Sequence, residues 1–588
     1  MHCFHHAIVV AASLLFALPG SAAVYRVGSG AGCTHASIQA AIGAAAVSAA
    51  DDEIRLSATL AYSQQALLVD AAQGSLVIAG GYANCADDAP VAGARTPIDG
   101  NGNLPVLRIN ATRTVSLQNL DIGGGGTTDR GGGIHVTGSG GAVLVLSDTL
   151  VRGNQAYAGG GIAVLNSDAQ GDPAAMQLLL FGDSSVTSNS AVAGGGIQCI
   201  GATVHLFDRA HVSLNAASAH GGGLYALDCR VESGSRGIAG AVLWGNSAGG
   251  DGGGLYLYGA RSDADFYTID AQMPARIVGN SAARGGAIVI AREARMRLYD
   301  ANIEDNTATA TAGAILVEAE AGATADTRFA MQGAPDGAPP AAVACVDPEG
   351  CNRVRSNRAL EGGVRKPGAA IVVASGTAHA AHAAFRGTRF EGNLGESLAR
   401  HAGDHGQIVF DGALLVDNDA NGALLDAPGS ANSLVVVATT IARNALGAGR
   451  GVIAGTGGCD VEDDVRGTYA YRDIVWQVGN PLIETTGALA PFCFQYLLGN
   501  DFGGLPAAAE RIVVDPLFRD AANGDFRLSL GSIGVDFAPA AAQTVTRDGG
   551  VRVFDIVPTM DRFGPQDLGA YEYAPPLIFA DGFESGGT

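Results

Sequence analysis

Residues 194–224 read GGGIQCIGATVHLFDRAHVSLNAASAHGGGL, and this stretch contains one complete period of a repeat. It opens with Gly-Gly-Gly-Ile, passes through the alternating run Val204-His205-Leu206, and reaches Asn215 before the next Gly-Gly-Gly. Successive glycine runs start 27 to 35 residues apart, a period typical of stacked repeats. The runs lie at 131–134, 159–162, 194–197, 221–224 and 252–255, with looser copies at 285–288 and 312–315.

A second signature, an apolar residue followed by two others and Asn, occurs ten times between residues 151 and 444. Asparagines that recur at one turn of stacked coils can form a hydrogen-bonded ladder, because equivalent chain positions then lie above one another. We expect a structural Asn ladder that includes Asn154, Asn189, Asn215, Asn246, Asn280 and Asn306.

Each period holds about three short strands with period-2 alternation, separated by turn residues. Such strands bury a core only when each pairs in parallel with its equivalent one period later. An α-helical solenoid is disfavoured because 86 glycines would cost too much helix stability. The sequence therefore predicts an all-β chain that forms a right-handed parallel β-helix, with the handedness taken from the rule for parallel crossovers.

The chain resembles the pectin-lyase-like family of right-handed parallel β-helices. The paired Val/Ile/Phe-x-x-Asn and Gly-Gly-Ala/Gly-Ile motifs are similar to the repeats of polymorphic outer-membrane proteins. The resemblance covers residues 104 to 453 and implies the fold; enzymes, adhesins and inert stalks all share that fold, so it does not imply one function. Polymorphic outer-membrane proteins end in a membrane β-barrel, and the repeated alternating strands of a barrel are absent from this sequence.

Residues 1–23 are typical of a secretory signal, with an apolar core from Ala7 to Leu18 and small residues near Ala23. We expect an exported protein, extracellular or on the outer cell surface, without a transmembrane segment after the signal is removed. The net charge of −22 and the single lysine, Lys366, make nucleic acid an unlikely partner.

Eight cysteines follow the signal, and an even number in an exported chain favours disulfides over a metal site. Cys-x-x-Cys spacing, which a metal site would require, is absent. Pairing in chain order would join Cys33 to Cys85, Cys199 to Cys229, Cys345 to Cys351 and Cys459 to Cys493.

The expected organisation is a cap and first coils at 24–103, repeats at 104–450, final coils with a cap at 451–573, and a tail at 574–588. Ile38 and Ile42 share one face of a short helix that could cover the open end of the stack. An insertion rich in Ala, Pro and Gly interrupts the repeats at about 318–352.

Catalytic residues are not assigned, and no cofactor or metal is expected. The acidic pairs at 51–52, 87–88 and 463–464 and the Asp404-His405 pair could serve as acid and base. Adjacent strand residues, however, point to opposite faces, so solvated turn charges are the simpler interpretation. Asp417-x-Asp419 and Gly249–Gly252 begin like calcium loops but lack the remaining ligands.

Binding is the better functional prediction. The residue after each Gly-run Ile or Leu should point outward, which places Tyr225 and Tyr256 one coil apart as an exposed pair that could hold sugar rings. We expect a non-catalytic secreted or surface protein that binds a glycan or another surface in the manner of an adhesin. A polysaccharide lyase or hydrolase acting on acidic glycans and a structural stalk are the two alternatives.

Overall fold

The computed structural model describes residues 22–48, 50–71, 74–168, 172–333, 339, 342–376, 379–403, 405–428, 432–455, 467–484, 493–540, 546 and 561–573. The expected signal at 1–23 and the tail at 574–588 lie almost wholly outside this set. The described chain is an all-β parallel β-helix, as the repeat pattern predicts. Each coil passes through sheet A, sheet B and sheet C before it returns to sheet A, and the coils between residues 190 and 420 add a short strand of sheet D between sheets B and C.

Three long sheets run the length of the stack, and each strand pairs in parallel with its equivalent one coil later. Sheet A contains Val24–Val27, Asp52–Ser57, Leu76–Tyr82, Thr114–Gln118, Ala142–Ser147, Met176–Phe181, Thr203–Asp208, Arg230–Ser235, Asp263–Tyr267, Arg295–Tyr299, Thr327–Gln332, Ala381–Arg386, Gly406–Asp411, Asn432–Val437, Gly467–Tyr471 and Cys493–Gln495. Sheet B contains Tyr62–Gln65, Thr96–Gly100, Leu120–Gly123, Leu150–Arg152, Ser185–Thr187, His211–Ser213, Ala241–Trp244, Arg276–Val278, Asn302–Glu304, Arg353–Arg355, Arg389–Glu391, Leu414–Val416, Thr440–Ala442, Ile474–Trp476, Leu497–Gly499 and Arg511–Val513.

Sheet C contains Leu67–Ala71, Leu107–Ala111, Ile134–Gly138, Ile162–Asn166, Ile197–Ile200, Leu224–Leu227, Leu255–Tyr258, Ile288–Ala291, Ile315–Glu318, Ile371–Ser375, Ala399–Gly403, Leu425–Ala427, Ile453–Gly455 and Ile483–Glu484. Sheet D contains Ser190–Ala193, Ala216–His220, Ser247–Ala248, Ser281–Arg284, Thr307–Thr311, Arg358–Glu361, Leu394–Gly395 and Asp419–Ala420, with Val364–Arg365 antiparallel to Arg358–Glu361. Short 3-10 turns lie at Pro173–Ala175, Pro348–Gly350 and Ala521–Asn523.

The Asn ladder runs along the turn between sheets B and D. Each Asn side chain donates to the Asn Oδ1 of the next coil, and each backbone N–H on the ladder donates to that same oxygen; Asn215, for example, binds Asn246 at 3.0 Å through its side chain and 3.1 Å through its backbone. The row starts at Asn154 and continues through Asn189, Asn215, Asn246, Asn280, Asn306, Asn357, Asn393, Asn418 and Asn444 to Gln477.

The glycine runs form the corner between sheets D and C. Gly221 has a φ of +65°, and a Cβ there would lie 2.9 Å from the Cα of Tyr225. Gly222 approaches the next coil so closely that a Cβ would lie 2.4 Å from the carbonyl oxygens of Ser247 and Gly253. The first glycine therefore supplies a left-handed turn and the second a close backbone contact. As a result, the chain bends back over the outward residue four positions later.

A short helix, Ile38–Ala45, follows the first strand, as the sequence predicts. Ser37 caps it by accepting a hydrogen bond from the Ala40 N–H. Ile38, Ala41 and Ile42 are buried in the main core. The helix thus covers apolar side chains at the first end of the stack.

The insertion is shorter than the sequence suggests. Glu318 ends a strand of sheet C, and Thr327–Gln332 pairs in register with Arg295–Tyr299, so both belong to regular coils. The prediction of an insertion from 318 was wrong because the Ala- and Gly-rich turn at 319–326 hid the strand that follows it. The described part of the insertion, from 342, lies beside Thr268, Ala271 and Asp300 at the end of sheet A.

The chain after Val513 does not add further coils among the described residues. It packs on the outer face of sheet B, where Phe526, Ala570 and Tyr571 cover Leu414, Val416 and Ala442. A second cluster buries Phe537 and Leu568 against Ile474 and Leu498. We call described residues 515–540 and 561–573 the C-terminal strap. Final coils with a cap were expected at 451–573, and the last strand of the described stack is Arg511–Val513.

Among the described residues, three disulfides join cysteines that follow one another in the chain: Cys33 to Cys85, Cys199 to Cys229, and Cys345 to Cys351. Cys459 lies outside the described residues, so its pairing with Cys493 stays a prediction. Three disulfides fit an extracellular protein.

Replacing Asn246 by Ala should lower the free energy of unfolding by about 2–3 kcal/mol, because four buried groups each lose one hydrogen bond. These groups are the Asn215 N–H and side-chain amide, the Val212 carbonyl and the Asn280 Oδ1. Urea denaturation followed by circular dichroism measures the change. Asn103→Ala, at an exposed turn, is the matched control, and equal midpoints for both variants would contradict a stabilising ladder.

Candidate functional site

The outer face of sheet A brings chemically active side chains into one row. His205, Glu232, Asp265 and Arg297 occupy equivalent positions on four successive coils and pair in register. They face outward because alternate residues of the same strands, such as Leu206, point into the core. We call these four residues the polar row.

Glu232 contacts His205 of the polar row and Tyr267, which lies outside it. The Nδ1 atom of His205 lies 3.3 Å from one carboxylate oxygen of Glu232, and the Tyr267 hydroxyl donates to the other at 2.9 Å. The Tyr267 ring reaches Glu232 by lying over Gly234, where a Cβ would be only 2.6 Å from the ring. Glycine at 234 therefore permits the Glu232–Tyr267 hydrogen bond.

Arg297 holds the other two carboxylates of this face. Its guanidinium binds Asp265 at 2.6 and 2.8 Å and Asp263 at 3.0 Å. Asp265 is 8% exposed, whereas Arg230 and Arg295, in the neighbouring column, are exposed. The site therefore has charged groups both at the surface and beneath it.

The environment shifts the pKa values of the two neighbouring carboxyls in opposite directions. The hydrogen bond from His205 lowers the pKa of Glu232 despite partial burial. Burial raises the pKa of Asp265, and the interaction with Arg297 only partly offsets this. Two adjacent acids with separated pKa values are an arrangement that general acid–base catalysis uses.

Aromatic rings extend the row toward the first end of the stack. The ring of Phe207 stacks on His205 with centroids 5.4 Å apart, and Phe181 stacks on Phe207 at 5.1 Å. All three rings are partly exposed. A flat aromatic surface beside fixed polar groups is a common way to bind a sugar ring, whose faces are apolar and whose edge carries hydroxyls.

Tyr225 and Tyr256 lie one coil apart in sheet C, and their rings stack at 5.4 Å. The expectation that both are exposed was wrong: Tyr256 is 8% exposed and Tyr225 is half-buried. The glycine corner bends the chain back over this column, so outward residues there are covered. Tyr256 packs in a satellite cluster with Val289, Leu316 and Val372 rather than facing solvent.

Ion pairs close the edge of this tyrosine cluster. Asp251 binds Arg284 at 2.7 and 2.9 Å and lies 3.3 Å from His220, whose ring stacks on Tyr256 at 5.0 Å. Arg284 also reaches Glu318 at 3.1 Å. Burial opposes ionisation of Asp251, but His220 and Arg284 outweigh it and lower the pKa of this carboxyl to about 2.

Of the acidic residues considered from sequence, Asp51 and Asp87 lie outside strands, whereas Asp52 is buried at the start of the sheet A strand Asp52–Ser57. Asp51 accepts from the Ser75 N–H, and Asp87 accepts from the Asn84 N–H. Asp404 and the pair at 463–464 lie outside the described residues. Asp417 pairs with Arg443 and Asp419 with Arg365, so the calcium-like segment is held by arginines. Within the part of the chain that is described, no cluster of three or more His, Cys, Asp and Glu could hold a metal ion.

Sequence reasoning missed the polar row because its members lie 27 to 33 residues apart. The alternation in Asp263-Ala-Asp-Phe-Tyr267 and Arg295-Met-Arg-Leu-Tyr299 contains the necessary information. Aligning the periods would place Asp265 beside Arg297 on the outer face, as the structure does.

Comparison of the chain with protein-family models, curated proteins and solved structures finds no match. The similarity to pectin-lyase-like chains and to the repeats of polymorphic outer-membrane proteins therefore rests on the quoted motifs and on the parallel β-helix. Across the described residues, no helix has the length and apolar character to span a membrane.

Asp251→Asn should reduce stability at neutral pH but not in strong acid. The folded-state pKa of Asp251, about 2, lies below the ordinary value of about 3.9, so its ionised form stabilises the fold above pH 4. This contribution is lost as the pH falls through 2. Urea midpoints of wild type and variant should therefore converge between pH 4 and pH 2.

Asp88→Asn, at a side chain that is 87% exposed, is the control and should show a small difference from wild type throughout this range. A constant difference between wild type and Asp251→Asn at every pH would contradict the assignment of the low pKa to Asp251.

Proposed function

We propose that this is a secreted or surface-exposed protein that binds a glycan on the outer face of sheet A without cleaving it. The observation that carries the proposal is the continuity of the Phe181–Phe207–His205 rings with the polar row. One coil advances about 4.8 Å along the stack, so an extended polymer lying along it would meet equivalent positions at regular intervals.

The internal pairing of the polar row favours binding. Glu232 is held by His205 and Tyr267, while Asp265 and Asp263 are held by Arg297. Side chains fixed in this way lose little conformational freedom when a ligand binds, and their remaining lone pairs and N–H groups are available to hydroxyls. Arg230 and Arg295 are exposed next to the row and would favour an anionic substituent on the glycan.

A second candidate, hydrolysis of a glycosidic bond, is favoured by the opposite pKa shifts of Glu232 and Asp265. Protonated Asp265 would give its proton to the glycosidic oxygen as the C–O bond breaks. Ionised Glu232 would take a proton from the water whose oxygen joins the anomeric carbon. Hydrolysis, unlike binding, would produce shorter polysaccharide chains.

Phe207→Ala should weaken retention on a bound polysaccharide about tenfold, because the stacking surface is lost. Retention is measured by affinity electrophoresis on neutral and acidic polysaccharides at two salt concentrations. Tyr157→Ala removes an aromatic side chain that is 59% exposed on another face and should bind like wild type. Equal retention of wild type and Phe207→Ala would reject the sheet A surface as the binding site.

Incubation with the same polysaccharides, followed by size-exclusion chromatography, should leave their chain length unchanged. Glu232→Gln and Asp265→Asn should accordingly retain binding. If wild type shortens a polymer and both variants do not, the hydrolytic candidate replaces the binding protein. If wild type and both variants shorten the polymer, the catalytic residues are not Glu232 and Asp265.

A further inference from the structure

The outward-facing residues at one register position of sheet C form a column, which is polar on some coils and apolar on others. Arg400 and Asp426 lie further along it, but the four-coil stretch that begins at Tyr256 is buried, with Val289, Leu316 and Val372 between 0 and 4% exposed. Before it, four residues pair in register on successive coils: His135, Ala163, Gln198 and Tyr225. We call these four residues the polar corner, because they lie under the glycine turn between sheets D and C.

Two members of the polar corner carry polar atoms that are shielded from solvent. Both ring nitrogens of His135 and the Oε1 atom of Gln198 lack a hydrogen-bond partner among the residues that the structure describes. Gln198 is 5% exposed, and Ala163, which separates it from His135, is 0% exposed. Buried polar groups are normally paired, and an unpaired one costs folding free energy.

The fold does not require polar side chains here. The same column accepts Val289 and Leu316 at equivalent positions, and these residues pack with Tyr256 in an apolar cluster. Polar residues that reduce stability at positions where apolar ones would fit point to a function for those atoms. The function must use hydrogen bonds that the free protein does not make.

The chemistry of the two groups indicates the ligand. Burial lowers the pKa of His135, and the nearby Arg108 and Arg130 add to this effect while Asp129 opposes it. Burial therefore favours the neutral imidazole of His135, which has one donor and one acceptor, and Gln198 is a neutral amide with both kinds of group. Neutral donors and acceptors match hydroxyl groups, which both donate and accept.

We propose that the polar corner binds one neutral sugar residue of a glycan. Its hydroxyls pair with His135 and Gln198 over the small Ala163 side chain, and its apolar ring face packs on the half-buried Tyr225. Because the polar atoms are shielded in the free protein, the His135 and Gln198 side chains turn toward the ligand as it enters. This site is separate from the polar row on sheet A and does not depend on it.

The test uses isothermal titration calorimetry with four neutral hexasaccharides: maltohexaose, cellohexaose, xylohexaose and mannohexaose. Wild type should bind at least one of them. Gln198→Leu and His135→Phe should each reduce that affinity about tenfold or more. Their thermal midpoints should equal or exceed that of wild type, because each removes an unpaired buried group.

Gln177→Leu, a change of the same type on the outer face of sheet A, is the matched control and should leave hexasaccharide affinity unchanged. Tyr157→Ala, outside both surfaces, should also leave it unchanged. Because the Phe207→Ala retention experiment tests sheet A separately, failure of that proposal is distinguished from failure of this one. Three results would contradict the proposal that the polar corner binds a sugar: no binding of any hexasaccharide by wild type, unchanged affinity in both variants, or a lower thermal midpoint for Gln198→Leu. The last would show that Gln198 serves the fold, for example through an enclosed water.

Discussion

Parallel pairing of each strand with its equivalent one coil later is the interaction on which the rest of the structure depends. It aligns inward Ile, Leu and Val residues into one core and places every turn residue above its counterpart. The Asn ladder follows from this alignment, because an amide can pair with its copy only where the coils stay in register. A slip of one residue in a strand would exchange its inward and outward faces.

The fold could be predicted from sequence because its determinants are local and repeated. Gly-Gly-Gly-Ile and the recurring Asn each fix one turn of the coil, and ten copies make the period unambiguous. Thr327–Gln332 was missed because a long Ala-rich turn precedes it, and the C-terminal strap was missed because its contacts join residues far apart in the chain. Periodicity indicates which residues stack, but not which irregular segment lies over a finished sheet.

For the candidate sites, too, sequence patterns predict which residues stack but not which of them are exposed. Sequence spacing correctly stacks Tyr225 on Tyr256, yet the chain bends at Gly252 against Tyr256, which is buried. Burial of this kind depends on the backbone path rather than on alternation. The polar row became visible only through register, which joins His205, Glu232, Asp265 and Arg297 across four coils. In a stacked repeat, function is therefore encoded along columns that cross the sequence at intervals of about one period.

The C-terminal strap has a consequence for the order in which the molecule folds. Most contacts in the stack join residues about thirty positions apart, so coils can assemble one after another as the chain is synthesised. The hydrogen bond from Tyr571 to Glu349 instead spans 222 positions, and the apolar side chains of Leu414, Ile474 and Leu498 stay uncovered until the strap arrives. A nascent chain that has completed these coils thus still exposes an apolar sheet face, which is buried only when the C-terminal strap packs on it.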